Sequence, residues 1–128
     1  MKRVLLVDDE FALVDTLRDF LEDEGYLVES AANGKQALDS MAMSPPDLVI
    51  SDVMMPIMDA RALLRAMTQD EGLKGIPVIL ISAVRRHVAI PSGDDAPVFS
   101  GFLRKPFQLE KLLAMVSSLI GPGDQKRG

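Results

Sequence analysis

The sequence contains no cysteine and one histidine, and these absences exclude several kinds of site. Without cysteine there can be no disulfide framework, thiol nucleophile or thiolate metal site. The histidine, His87, stands beside two arginines in a polar stretch, which favours surface exposure over catalysis. Because no cysteine or nearby histidine accompanies them, Met54, Met55 and Met58 indicate loop and core packing and not a soft-metal site.

The chain also lacks a basic excess and a long apolar run. Its 14 lysines and arginines against 19 acids give a formal net charge of −5, which argues against nucleic acid as a direct partner. No stretch reaches the roughly 18 apolar residues of a membrane helix. The opening MKRVLLVDDE meets acids too early for a signal peptide. We therefore expect a soluble, cytoplasmic protein without membrane insertion.

Short apolar runs alternate with longer segments of helical periodicity. The expected strands lie at 4–7, 26–29, 47–51, 78–81 and 99–104. Gly25 is expected to end the first helix in a left-handed conformation, and Asp59 to cap the third. This alternation predicts an α/β fold with a parallel sheet and helices on both faces. The 128 residues suit one domain, expected over 1–121 with a flexible C-terminal tail at 122–128.

Polar side chains stand at the ends of four of the expected strands. Asp8 and Asp9 follow the first strand, Asp52 the third, Ser82 the fourth and Lys105 the fifth. In such sheets the chemistry lies beyond the carboxyl ends of the strands. Three converging carboxylates repel one another, and Mg²⁺ is the cation that best relieves this because it keeps positions open for phosphate oxygens. The lysine and the hydroxyl then suit a phosphoryl group.

Four segments in order resemble the receiver domains of two-component response regulators. They are LLVDDE, DLVISDVMMPIMD, VILISA and GFLRKPF, and the similarity runs from about Lys2 to Ile120. The resemblance implies a flavodoxin-like, doubly wound fold with five parallel strands in the order 2-1-3-4-5. Each segment is a weak signal alone, but four of them at successive strand ends are specific.

The resemblance implies that Asp52 is the phosphoacceptor. It would take a phosphoryl group from a phosphohistidine on a sensor histidine kinase or a histidine phosphotransfer protein. Ser82 and Lys105 would each hold a phosphoryl oxygen. The protein would then be a Mg²⁺-dependent self-phosphorylating module with slow autodephosphorylation, not a conventional enzyme.

The resemblance also implies a metal site and a switch. Asp9, Asp52 and the backbone carbonyl of Met54 would bind Mg²⁺ directly, and Asp8 would act through water. On phosphorylation Ser82 would move toward the phosphate and leave room for the ring of Phe102 to turn inward, which alters a protein-interaction surface. That surface would bind a downstream protein target or an output domain, and a homodimer is a further option. A cis bond is expected between Lys105 and Pro106.

The sequence departs from the family at three places. The stretch VRRHVAIPSGDDAPVFSG, 84–101, contains two prolines and no helical period, which predicts a fourth helix that is short, irregular or absent. Ala60 replaces a usual glycine, which is tolerable only at negative φ. Met54 offers no polar side chain to orient a hydrolytic water, and we hypothesise that its bulk shields the acyl phosphate and lengthens its life.

Two other functions stay open at this point. A pseudo-receiver would keep the fold and bind partners without phosphorylation, which the irregular 84–101 segment favours and the complete polar set opposes. An enzyme on a similar sheet is the other alternative. A flavodoxin-like cofactor binder needs a phosphate loop after the first strand, where this chain has acids. An aspartate-nucleophile phosphatase needs a general acid two residues past Asp52, where this chain has Met54.

Overall fold

The computed structural model describes residues 2–91, 93 and 97–124. Strands and helices alternate along the described chain. The elements are β1 (Arg3–Val7), α1 (Phe11–Asp23), β2 (Leu27–Ala31), α2 (Gly34–Met43), β3 (Leu48–Asp52), α3 (Ala60–Thr68), β4 (Val78–Ser82), α4 (Arg86–Ala89), β5 (Gly101–Arg104) and α5 (Leu109–Ile120). All five strands are parallel, in the order β2-β1-β3-β4-β5. The predicted fold and strand order are confirmed.

The sheet separates two apolar cores, and successive residues of β1 show how. Leu5 and Val7 point to the side covered by α2 and α3, whereas Val4 and Leu6 point to the side covered by α1 and α5. Because side chains alternate across a strand, a strand covered on both faces has to be apolar throughout. The continuous runs in β1, β3 and β4 are buried for this reason.

Several strand boundaries differ from the expected ones by a residue or two. Tyr26 lies in the turn after α1, where its N–H donates to the Leu21 carbonyl, so β2 begins one residue later than expected. The ladder of β5 starts only at Gly101, which pairs with Ile79. Asp52 and Ser82 are themselves the last residues of β3 and β4. The hydrogen-bonded ladder, which sequence periodicity does not specify, therefore fixes these ends.

The end of α1 and the start of α3 have the residues and the geometry that were predicted for them. Gly25 follows α1 at φ 93°, and Asp59 accepts the Ala62 N–H at 3.0 Å at the start of α3. Ala60 is buried at the start of α3, and Ile57 is the one non-glycine residue with positive φ in the described part of the chain. Ala60 therefore stands where a side chain fits.

The fourth helix is a single turn, Arg86–Ala89, with no buried residue. Ile90 follows it and is buried in the core beneath α2 and α3. Pro91 then lacks the N–H that a further turn would need. The prediction of a short fourth helix is confirmed; within the same segment residues 92 and 94–96 lie outside the described residues.

The last described residues, up to Asp124, lie against the turn between α1 and β2. The N–H of Asp124 donates to the Gly25 carbonyl at 3.0 Å, and the Tyr26 hydroxyl donates to the Gly121 carbonyl at 2.7 Å. Residues 125–128 lie outside the described part, so the division into a domain and a tail stays a prediction. No helix among the described residues is long and apolar enough to cross a membrane.

Candidate functional site

Three carboxylates meet at the carboxyl edge of the sheet. Asp8, Asp9 and Asp52 each place one oxygen within 4.8 Å of the others. Asp8 is buried, Asp52 half-buried and Asp9 exposed. This cluster combines a graded exposure with closely spaced oxygen ligands, the donor type that hard divalent cations prefer.

Backbone hydrogen bonds fix the first and third strand ends. The Asp8 N–H donates to the Ala31 carbonyl at 3.0 Å, and Asp8 Oδ1 accepts the Glu10 N–H at 2.9 Å. Asp52 pairs with Ile81 in the ladder, and the Val53 N–H donates to the Ile81 carbonyl. Both carboxylates are thus held by rigid backbone on adjacent strands, as a preorganised site requires.

Lys105 reaches the carboxylates from the end of β5. The Lys105–Pro106 bond is cis, as predicted, and the Lys105 N–H donates to the Ser82 carbonyl at 2.7 Å. Its Nζ lies 3.8 Å from Asp52 Oδ1 and 3.8 Å from Asp8 Oδ2. The ammonium group is therefore shared between the two carboxylates.

Glu10 is a fourth acid at the site, and sequence reasoning missed it. Its Oε1 lies 3.6 Å from Lys105 Nζ, the shortest of the three ion pairs that the lysine makes with described residues. The available signal was the third consecutive acid of the DDE run. That signal is weak, because an acid after a strand is usually a solvated turn or cap.

Burial and mutual repulsion disfavour the charged forms of Asp8 and Asp52. Burial and then the charge of Asp8 raise the pKa of Asp52 from 3.8 to about 6, with Lys105 opposing them. Burial also raises the pKa of Asp8, against the Glu10 N–H hydrogen bond and Lys105. The lysine does not fully compensate for the cluster, and a bound cation would lower both pKa values.

Ser82 and Met54 flank Asp52. Ser82 is buried, and its Oγ accepts the Val84 N–H at 3.1 Å. Met54 lies two residues past Asp52 with its side chain 73% exposed. A cavity of about 220 Å³ lies on the other side of the cluster, where Asp8 and Asp9 line it together with residues of α1 and β2. Asp8 and Asp9 can thus be reached from that side.

Phe102 and Phe99 connect β5 with α4 through side-chain contacts. Phe102 packs against the core beneath α2 and α3, with its ring centroid 6.3 Å from that of Phe99 at 53°. The guanidinium carbon of Arg86, the first residue of α4, lies 4.7 Å from the Phe99 centroid. The single turn of α4 is therefore connected, through two rings, with β5, the strand that precedes Lys105.

The response regulator receiver domain model matches residues 4–117. This chain belongs to that family. The receiver domain is 38% identical over 120 residues to response regulator MprA of Mycolicibacterium vanbaalenii, which covers 92% of this chain and 50% of MprA. The chain thus spans about half the length of the curated relatives that it matches. Family membership favours a receiver over the two enzyme alternatives.

Solved structures of receivers have the same fold. Chemotaxis response regulator CheY4 of Vibrio cholerae is 31% identical with a TM-score of 0.84, over 93% of this chain and 98% of that one. The receiver domain of sensor histidine kinase PA1611 from Pseudomonas aeruginosa PAO1 is 23% identical with a TM-score of 0.81, over 94% and 98%. That structure has a magnesium ion coordinated in its active-site cleft, and its likeness to this chain concerns the fold.

Proposed function

We propose that this receiver domain accepts a phosphoryl group on Asp52 from a phosphohistidine and thereby switches a protein-interaction surface. The observation that carries the proposal is the juxtaposition of Asp8, Asp9 and Asp52, with oxygens within 4.8 Å, and Lys105 Nζ 3.8 Å from Asp52 Oδ1. Family membership supports a histidine kinase or a histidine phosphotransfer protein as the donor. The exchange would take place in the cytoplasm, the location expected from the sequence.

The reaction would use the Asp52 carboxylate as its nucleophile. A carboxylate oxygen attacks phosphorus in line, the new O–P bond forms, and the P–N bond to the imidazole breaks. The imidazole leaves with the electron pair of that bond and takes a proton from solvent. Because Asp52 is held at the end of β3, the protein contributes mainly position.

The donor set fits Mg²⁺. Carboxylate oxygens within 4.8 Å of one another, on groups whose pKa values are raised by burial, suit a hard cation that relieves the repulsion. Asp9, Asp52 and the Met54 carbonyl would hold it, with Asp8 acting through water. When bound, it supplies charge neutralisation for the incoming phosphoryl oxygens. The magnesium ion in the receiver of PA1611 supports this choice of metal.

Lys105 and Ser82 would hold the transferred group. The Lys105 ammonium is already shared between Asp52 and Asp8 at 3.8 Å, so a small movement brings it to a phosphoryl oxygen. The Ser82 hydroxyl accepts a hydrogen bond from Val84, and its own hydrogen can therefore be donated to another phosphoryl oxygen. Both contacts strengthen when negative charge arrives on Asp52.

The conformational change would begin at Ser82, continue to Phe102 and then reach α4. Withdrawal of the Ser82 side chain toward the phosphate frees space for the Phe102 ring, and the ring contact with Phe99 is then altered. The affected surface would bind a downstream target or an output domain. In a receiver with a single turn at α4, that surface differs from one built on a full helix.

Intact mass spectrometry after incubation with Mg²⁺ and acetyl phosphate tests the proposal. We expect a gain of one phosphoryl group that is lost in Asp52→Asn and with chelator. Asp15→Asn, which removes an exposed carboxylate from α1, is the matched control and should be phosphorylated like the parent. No gain under conditions where Mg²⁺ binds would refute the proposal and favour a pseudo-receiver.

A further inference from the structure

Glu10 occupies the N-cap of α1 but does not cap it. Its backbone is extended, at φ −96° and ψ 101°, and its side chain accepts no hydrogen bond from the first turn. At the same position of α2 and α3, Asn33 accepts the Gln36 N–H and Asp59 accepts the Ala62 N–H. A short polar side chain is the usual choice at an N-cap because it satisfies such a donor. Glu10 therefore lacks the local contact that Asn33 and Asp59 make, as do the N-cap residues of α4 and α5.

The Glu10 carboxylate is directed instead to Lys105, at 3.6 Å from Nζ. Its backbone N–H donates to Asp8 Oδ1, so the same residue also orients a member of the acidic cluster. The Glu10 side chain is 60% exposed, against 8% for Asp8 and 13% for Asp52. Glu10 thus attracts the ammonium toward solvent, and the two aspartates attract it toward the buried oxygens.

We infer that Glu10 is a positioning residue for Lys105. The Glu10 carboxylate holds the lysine ammonium at the outer side of the acidic cluster and so keeps Asp8 and Asp52 available to a divalent cation. The inference rests on the proposed function, because it assumes that the aspartates serve a cation and that Lys105 later meets a phosphoryl group. A lysine seated on Asp8 and Asp52 repels a cation and occupies its ligands.

Removal of the Glu10 carboxylate should then weaken Mg²⁺ binding through Lys105. We expect Glu10→Gln to weaken the Mg²⁺ affinity about two- to fivefold, the range of a single exposed ion pair. In the Lys105→Gln background the same substitution should have little effect, because no ammonium is left to reposition. Mg²⁺ titrations of the full chain, followed by backbone amide NMR, measure the four affinities and show whether each variant is folded.

Equal weakening with and without Lys105 would overturn the inference, because Glu10 would then act by its own charge. No weakening in either background would overturn it as well. A parent that bound no Mg²⁺ would refute the metal site of the proposed function before any variant was compared. A parent that bound Mg²⁺ and was phosphorylated, with equal Glu10→Gln effects, would refute the inference alone.

Glu10→Ser separates positioning from a structural role. Serine supplies the missing cap, so the melting temperature should rise while the Mg²⁺ affinity falls as in Glu10→Gln. A Mg²⁺ affinity of Glu10→Ser that rose together with its melting temperature would contradict the inference. Asp15→Asn, which removes an exposed acid from the same helix, should leave the affinity within the error of the parent. Where the double variant does not fold, the comparison of Glu10→Ser with Asp15→Asn decides.

Discussion

Neutralising Asp52 should stabilise the metal-free domain, and the gain should depend on pH. The pKa of this carboxyl is raised from 3.8 to about 6 by burial and by Asp8, and its side chain is 13% exposed. At about 1.36 kcal/mol for each pH unit between the two values, the charged form costs the folded domain about 3 kcal/mol. Asp52→Asn should recover most of this at about pH 8.

The sign follows from proton linkage. A carboxyl whose pKa is higher in the folded state binds its proton more tightly there, so the domain gains stability from it below pH 3.8. That contribution is lost as the pH rises through about 6. The stabilisation by Asp52→Asn should therefore be largest above pH 6 and small at about pH 4. The raised pKa of Asp8 acts in the same direction in the parent.

Urea unfolding monitored by circular dichroism, with chelator present, measures both free energies. Asp15→Asn, on the exposed face of α1, controls for the loss of a negative charge and should change the stability little at either pH. A gain for Asp52→Asn that was the same at pH 4 and pH 8 would show that the charge is not its source. No gain at pH 8 would refute the assignment of an electrostatic cost to the folded site. Mg²⁺ should stabilise the parent and not Asp52→Asn, because a cation that binds only the folded state shifts the equilibrium by mass action.

Three further substitutions test individual features. Ile57→Asn should raise the free energy of unfolding by about 1 kcal/mol. A β-branched residue is strained at φ 67°, whereas asparagine tolerates this conformation. The control Ile57→Val stays β-branched and should show no gain. Arg86→Gln should speed amide hydrogen exchange in α4, because it removes a contact with the Phe99 ring worth about 0.5–1 kcal/mol. Equally fast exchange in the control Arg85→Gln would show that this contact is not the cause. Met54→Asn should shorten the life of the aspartyl phosphate severalfold, as measured by loss of the phosphoryl mass, and a variant that lost phosphate no faster would refute the shielding role.

The alternation of strands and helices could be predicted from the sequence because it depends on local rules. Apolar runs that are covered on both faces identify β1, β3 and β4. A glycine at positive φ ends α1, and an aspartate caps α3. The short α4 follows from proline and from the lack of a helical period. Each of these features is set by a few neighbouring residues.

The acidic cluster was predictable for a related reason. Parallel strands bring their carboxyl ends to one edge, so Asp8, Asp9 and Asp52 had to meet once the strands were identified. Their separation, and the raised pKa of Asp52, required the structure, because both depend on how deeply each strand end is buried. Sequence position specifies which groups converge but not how much water they keep.

Contacts between distant segments were decided by tertiary structure alone. Glu10 meets Lys105, and Arg86 meets Phe99, across separations that carry no sequence pattern. The positive φ of Ile57 is likewise opposed by its own residue type, so the loop between β3 and α3 must impose it. By itself the sequence determined the elements and the edge where its polar residues gather, because those follow from local periodicity and parallel pairing. Tertiary packing decided which carboxylates pair with Lys105 and which ring Arg86 of α4 contacts, because these depend on the positions of whole elements relative to one another.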